Sequence, residues 1–438
     1  MIAAPPQSPC HLRDLCVTTP SLRPYVPPPL MPSIIPPFSL RRSRPLIVLA
    51  CLFAALATGH AAPVHLGILQ PKPERAAELK AAGVSLVVLS VSWDRFQPTP
   101  KSLGTDYVAQ LRAEADAYRA AGLRVVLGLG VQYPPDWLRD QPDARFVNQH
   151  GDAYIDRAPG KNVANFVFNE SIRERQLDYI AGIFQHLGAD WAGVRLGGGW
   201  YGEVNYPAAK FAGKDNCYWA FDPIAQGKKY GLPDGIAPCP VPGWKPGQPS
   251  PDNASARRFA EWYLDSLKNY HDWQIAAVRR YYDGPLMMLY PSWGIRPGQL
   301  DAAVAGNLAG TTPPEKNGEV QRGFDFARFI GGIRDPKVWV QCTWLDSNPA
   351  WSDDTSDNPV RWSPPKFLAS LARAHNPPLR VSAENTGGGG MAALRLSAKR
   401  IQELDIDALF WAFGPDLFDG KPPELKDLAA AVGLPASP

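Results

Sequence analysis

Eight short runs rich in Val, Ile and Leu recur along this chain, and between them lie longer segments whose apolar residues return at helical spacing. The runs are Val64 to Leu69, Leu86 to Ser92, Val125 to Val131, Gly193 to Leu196, Leu286 to Leu289, Val338 to Thr343, Arg380 to Ala383 and Ala408 to Ala412. Strands that alternate with helices pair in parallel, and nearly continuous apolar runs mark strands covered on both faces. The intervening helices are expected over Glu74 to Ala82, Tyr107 to Ala121, Ile172 to His186, Ser255 to Tyr281, Phe324 to Ile330, Pro364 to His375, Ala392 to Leu404 and Glu424 to Val432. In the second of them Val108, Leu111, Ala115 and Tyr118 form one stripe, with Gln110, Arg112 and Asp116 off it. No Gly-rich phosphate turn follows the first strand, so an open doubly wound sheet is the poorer solution. The expected fold class is α/β, a single (β/α)8 TIM barrel with long loops after its strands.

Of the 438 residues, 45% are hydrophobic and 11% aromatic, enough for one large domain. A net charge of +3 gives no footprint for nucleic acid or an anionic membrane. Residues 1–30 are proline-rich without apolar period and read as a disordered or mis-annotated upstream segment. Arg41, Arg42 and Arg44 precede an apolar run from Leu46 to Ala57 and then Gly59, Ala61 and Ala62, the layout of a secretory signal. The expectation is a start at Met31, a signal peptide over 31–61, a barrel domain over 62–438 and a secreted or periplasmic protein; the run is too short to span a bilayer.

An exported chain meets oxidising conditions, and Cys217 and Cys239 flank a Gly- and Pro-rich stretch that a disulfide would restrain. That bridge is expected, whereas Cys342 reads as a core residue. No spacing of Cys and His suggests a metal, and no cofactor is signalled.

Two glutamates stand beyond strand ends, Glu203 after the fourth run and Glu384 at the seventh. Barrels of this class hold their active sites at the C-terminal mouth, so both carboxylates would meet there. Glycoside cleavage requires one protonated carboxyl at the leaving oxygen and one ionised carboxylate across the ring. Strand ends also carry Trp93, Tyr133, Trp137, Trp200, Tyr201, Trp293, Trp344 and Trp411, whose flat faces suit the C–H faces of sugars. Asp94, Gln132, Asn205, Asp346 and Asn385 lie beside them and could hold hydroxyls. The longest insertion, from Pro207 to about Asp252, contains Tyr218, Trp219, Phe221 and Trp244 and is expected to wall the cleft.

Leu196-Gly-Gly-Gly-Trp-Tyr-Gly-Glu-Val-Asn-Tyr-Pro resembles the acid-bearing motif of family 14 glycoside hydrolases, the β-amylases, and Leu379-Arg-Val-Ser-Ala-Glu-Asn-Thr resembles that family's strand 7 segment. Leu79 to Ser85 and Trp93-Asp94 are similar to its strand 2. Ala81 to Val84, Ser92 to Pro98 and Tyr133 to Leu138, then Gly151, resemble the catalytic domain of family 42 β-galactosidases. The chain departs from family 42 at Gly202, where Asn usually precedes the acid, and from family 14 after strand 3, where the flexible loop has no counterpart. The resemblance implies a clan A (β/α)8 glycoside hydrolase acting on oligo- or polysaccharides, with Glu203 as general acid and Glu384 as base or nucleophile. One family inverts and the other retains, so the stereochemistry stays open. Two other readings also remain: a non-catalytic exported carbohydrate-binding barrel, and a transglycosylase using the same glutamates.

Overall fold

The computed structural model describes residues 64–310 and 314–433. The upstream segment over 1–30 and the signal peptide over 31–61 lie outside the described residues. Eight parallel strands close into a barrel in sequence order: β1 (His65–Ile68), β2 (Leu86–Ser90), β3 (Arg124–Gly128), β4 (Gly193–Leu196), β5 (Leu286–Tyr290), β6 (Val338–Cys342), β7 (Val381–Glu384) and β8 (Ala408–Trp411). Closure comes from β1 beside β8, with Leu66 opposite Leu409 and Ile68 opposite Trp411. The expected strands match these to within one to three residues at their ends. A helix follows each strand, as the apolar periods require. In Thr105–Ala120 the stripe Val108, Leu111, Ala115 and Tyr118 is buried while Gln110, Arg112 and Asp116 face solvent.

Alternate residues of each strand serve two different cores. Leu86, Val88, Val126, Met287, Trp339, Ala408 and Phe410 fill the inside of the barrel, and Leu66, Ile68, Val87, Val125, Val194, Met288 and Leu409 pack outward under the helices. Space inside is tight: a Cβ on Gly67 would come within 2.5 Å of the Phe410 ring, so β1 carries no side chain there. Toward the C-terminal end the inward positions turn polar, with Arg195, Gln341, Ser382 and Glu384.

The stretch between β4 and the long helix Ala254–Arg279 packs against that helix as a dense flank. Tyr218 and Trp219 are fully buried, and Tyr218, Phe221 and Trp244 gather around Phe259 of that helix at ring separations of 5.6–5.8 Å. Residues 129–169, after β3, form a second long connection that the sequence pattern left unmarked, and it packs on this flank through Phe221 N to Val147 O at 2.9 Å. The expected bridge between Cys217 and Cys239 is absent. Both are free buried thiols: Cys217 Sγ lies 3.6 Å from Asn148 Nδ2, while Cys239 is held by its backbone N–H on Ala225 O at 2.9 Å. Dense aromatic packing restrains this stretch without a crosslink. Among the described residues, no helix is long and apolar enough to cross a membrane.

Candidate active site

The loop after β4 folds back on itself over the strand end. Gly199 donates to Glu203 O at 2.7 Å, Gly202 donates to Gly199 O at 2.9 Å, and Glu203 donates to Trp200 O at 3.2 Å. The return is so close that a Cβ on Gly197 would lie 2.1 Å from Gly202 O, which is why three glycines occur in a row. Gln274 of the long helix fixes the base of this loop by pairing with Gly197 N and O, each at 3.1 Å. The loop thereby delivers Glu203 to the mouth.

Glu203 accepts from Thr343 Oγ1, just beyond β6, at 2.7 Å and lies 3.4 Å from Asn205 Nδ2. Burial is the main force on its carboxyl, and the negative charge of Glu384 adds to it. Thr343, Arg322 and Arg195 pull the other way, and the balance leaves the pKa raised to about 7. A carboxyl in that condition carries a proton near neutrality.

Glu384 ends β7 and points into the barrel, with its side chain 12% exposed. Its Oε2 accepts from Arg195 of β4 at 2.6 Å and from Gln341 of β6 at 3.1 Å. Burial raises the pKa of Glu384, while Arg195 and Gln341 draw it back. The two glutamates thus occupy one site in different electrostatic settings: Glu384 has a cation in contact, and Glu203 has none among the described residues. Two carboxyls whose surroundings push them apart are suited to acid and base roles.

Arg195 and Gln341 were missed from sequence because each sits inside an apolar run. An arginine within a four-residue buried strand is a signal in itself, since burial of an unpaired guanidinium is costly. Thr343 closed the sixth run and gave no hint of its contact.

Several expected residues do gather here. Gln132 and Tyr201 line the same cavity as Ser90, Arg195, Gln274 and Leu289. Tyr133 and Tyr201 meet over Gly160, and Tyr201 stands 55% exposed at the rim. Trp200 is partly buried, and its backbone N–H donates to Asn205 Oδ1 at 2.8 Å, so Asn205 braces the acid loop. Trp293 forms an aromatic pair with Trp351, centroids 4.3 Å apart, on the β5 and β6 side. Trp344 is partly buried nearby in sequence, after β6.

Others are placed differently from expectation. Trp93 is fully buried, stacked on Tyr179 at 4.3 Å, because the chain enters the short helix Trp93–Phe96 directly after β2 and turns the indole under helix Glu170–Leu187. Trp411 belongs to the outward-facing core and is 2% exposed. Asn385 is also 2% exposed and exchanges two hydrogen bonds with the backbone of Ala412, at 2.7 and 2.8 Å, clamping β7 to β8. Asp94 is exposed and accepts from Ser92 Oγ and Arg95 N, and Asp346 accepts from the Thr386 N–H and hydroxyl, so both order loops. Among the described residues no group of three or more His, Cys, Asp and Glu side chains is arranged to hold a metal ion.

No family model matches the chain, and no curated protein matches it in sequence. Solved structures do. The catalytic domain of β-amylase from Paenibacillus polymyxa is 16% identical with a TM-score of 0.61, over 84% of this chain and 97% of that one. A β-galactosidase from the psychrophilic Marinomonas ef1 is 16% identical with a TM-score of 0.53, over 85% of this chain. A polyextremophilic β-galactosidase from the Antarctic haloarchaeon Halorubrum lacusprofundi is 16% identical with a TM-score of 0.51, over 84% of this chain. The chain spans 61% and 57% of the length of those two galactosidases. The shared feature is the fold: the chain has a (β/α)8 architecture like that of these glycoside hydrolases.

Proposed function

We propose that this protein is an exported glycoside hydrolase in which Glu203 protonates the leaving oxygen and Glu384 acts as the ionised partner. The observation that carries the reading is the contrast between the two carboxyls. Glu203 is partly buried, has no cation in contact among the described residues, and stays protonated up to about pH 7, while Glu384 touches Arg195 at 2.6 Å. A protonated acid and an anionic base or nucleophile on one mouth are what glycosidic cleavage requires. The Arg195 and Gln341 contacts both fall on Oε2 of Glu384, which leaves Oε1 for water or the anomeric carbon.

The likeness to a β-amylase and to β-galactosidases supports a saccharide as substrate. Export rests on the sequence layout before Ala62. No metal or organic cofactor enters the mechanism.

The test is a hydrolysis screen of the purified protein against α-glucans, β-galactosides and other β-linked oligosaccharides, following the anomer first formed by proton NMR. Cleavage that disappears in Glu384→Gln is expected, and the anomer distinguishes inversion from retention. Saccharide binding with no cleavage of any substrate would replace this reading with that of a binding barrel. Products lengthened at high acceptor concentration would make it a transglycosylase.

A further inference from the structure

Two cations converge on the loop that carries the acid. Lys161, from the connection after β3, places Nζ 4.9 Å from the centre of the Trp200 ring and 5.3 Å from that of Tyr201. Arg322, ending the helix Pro314–Arg322 after β5, places its guanidinium carbon 4.7 Å from the Trp200 ring. They come from separate connections and meet at one indole, three residues before Glu203.

Neither cation is neutralised in contact. Among the described residues no carboxylate oxygen lies within 4.0 Å of Lys161 or of Arg322. Arg195, by comparison, has Glu384 at 2.6 Å. Arg322 uses only Nε on protein, donating to Tyr206 O at 2.9 Å, and its terminal nitrogens have no hydrogen-bond partner among the described residues. The carboxyls that act on Arg322 at longer range are Glu203 and Glu319. Glu319 is already engaged by Ser292 Oγ and Gly294 N, each at 2.7 Å. Arg322 gives up hydration without an anion in contact, while Lys161 is held by the Tyr201 hydroxyl, with the Asp156 carboxylate acting only at longer range.

An anion on the ligand would complete this arrangement. A guanidinium with two free terminal nitrogens matches a carboxylate or a sulfate in bidentate fashion, and an ammonium adds a point charge beside it. We propose that the saccharide taken at this mouth is acidic, carrying a carboxylate or a sulfate ester on a sugar bound against Trp200, where Lys161 and Arg322 receive it. This deepens the reading of the mouth as a glycosidase site and rests on it. A purely structural alternative is that the cations brace the indole through its π face.

The two accounts separate by experiment. Oligosaccharides containing uronic acids, sulfated oligosaccharides and their neutral counterparts are compared as substrates of the wild type, Lys161→Gln and Arg322→Gln. Acidic substrates are expected to have at least tenfold higher kcat/KM than neutral ones, with the advantage shrinking as ionic strength rises. Lys161→Gln is expected to remove most of that advantage through KM, leaving the rate on neutral sugars close to wild type; Arg322→Gln is expected to lose the same advantage, but because Arg322 also acts on Glu203 its rate on neutral sugars changes as well. The uronic and sulfated arms identify which anion is read. Because Arg322 is anchored on Tyr206 and its replacement can disturb folding, Lys161→Gln on the open connection decides the matter alone if necessary. Equal kcat/KM on acidic and neutral substrates, unchanged in Lys161→Gln, overturns the inference and leaves the hydrolase reading intact. If no saccharide is cleaved, the hydrolase reading fails, and calorimetric binding of the same acidic and neutral oligosaccharides decides the inference. Tighter binding of the acidic ones, lost in Lys161→Gln, supports it; equal binding overturns it.

Discussion

Glu203 is held with its pKa raised to about 7 from an ordinary 4.5, chiefly by burial. Folding therefore opposes its ionisation. The folded protein keeps this proton between about pH 4.5 and 7 where the unfolded chain has released it, so stability falls as pH rises through that window. Raising this pKa from 4.5 to about 7, at about 1.4 kcal/mol for each step of one in pH, amounts to roughly 3.5 kcal/mol lost by pH 8. Glu203→Gln removes the titration but keeps an amide oxygen able to accept from Thr343 Oγ1. Relative to wild type, the variant should be within about 1 kcal/mol at pH 4.5 and should gain roughly 3 kcal/mol on going to pH 8. Urea unfolding at several pH values measures this difference, and other raised carboxyls such as Glu319 cancel because both proteins contain them. A difference that does not change with pH, or that favours wild type at pH 8, would refute the claim that Glu203 is a destabilised, proton-bearing acid. The prediction requires no substrate.

The pH profile of kcat/KM should be a bell with an alkaline limb near pH 7 from Glu203 and an acid limb from Glu384 above the ordinary 4.5. Replacing Arg195 by Gln should move the acid limb upward, since the adjacent cation holds the Glu384 carboxyl down; an unmoved limb would separate Arg195 from Glu384. Trp93→Ala should cost about 3–5 kcal/mol in urea unfolding, as large aromatic truncations in cores do, with activity per folded molecule retained. Lost turnover without lost stability would return Trp93 to the substrate. Reductant should leave the thermal midpoint unchanged because Cys217 and Cys239 are free thiols, whereas a bridge would reveal itself as a marked drop on reduction.

The barrel was legible because its strands are buried on both faces and so appear as nearly unbroken apolar runs, with boundaries set by the polar turns between them. The same property hid which residues face the mouth. With no alternation of polar and apolar residues, neighbours such as Glu384 and Asn385, or Phe410 and Trp411, give no sign of which points inward. Glu384 points into the barrel and Asn385 pairs with Ala412; Phe410 fills the inside and Trp411 packs outward. Trp93 was misjudged for a related reason: a residue at a strand end reaches the mouth only if the chain continues as a loop, and here it begins a helix. The two glutamates stood out through their neighbouring motifs, but Arg195, Gln341, Thr343, Lys161 and Arg322 come from five different connections or strands. Only the closed barrel brings them together.

The most direct test of the two-carboxyl account is the dependence of kcat/KM on leaving group for wild type and Glu203→Gln, using one glycone with leaving groups from nitrophenol to a sugar alcohol. If Glu203 protonates the departing oxygen, the variant loses about 10²- to 10⁴-fold on the poorest leaving group and little on nitrophenol. An equal loss across the series, or full turnover of a natural saccharide by the variant, would contradict the account.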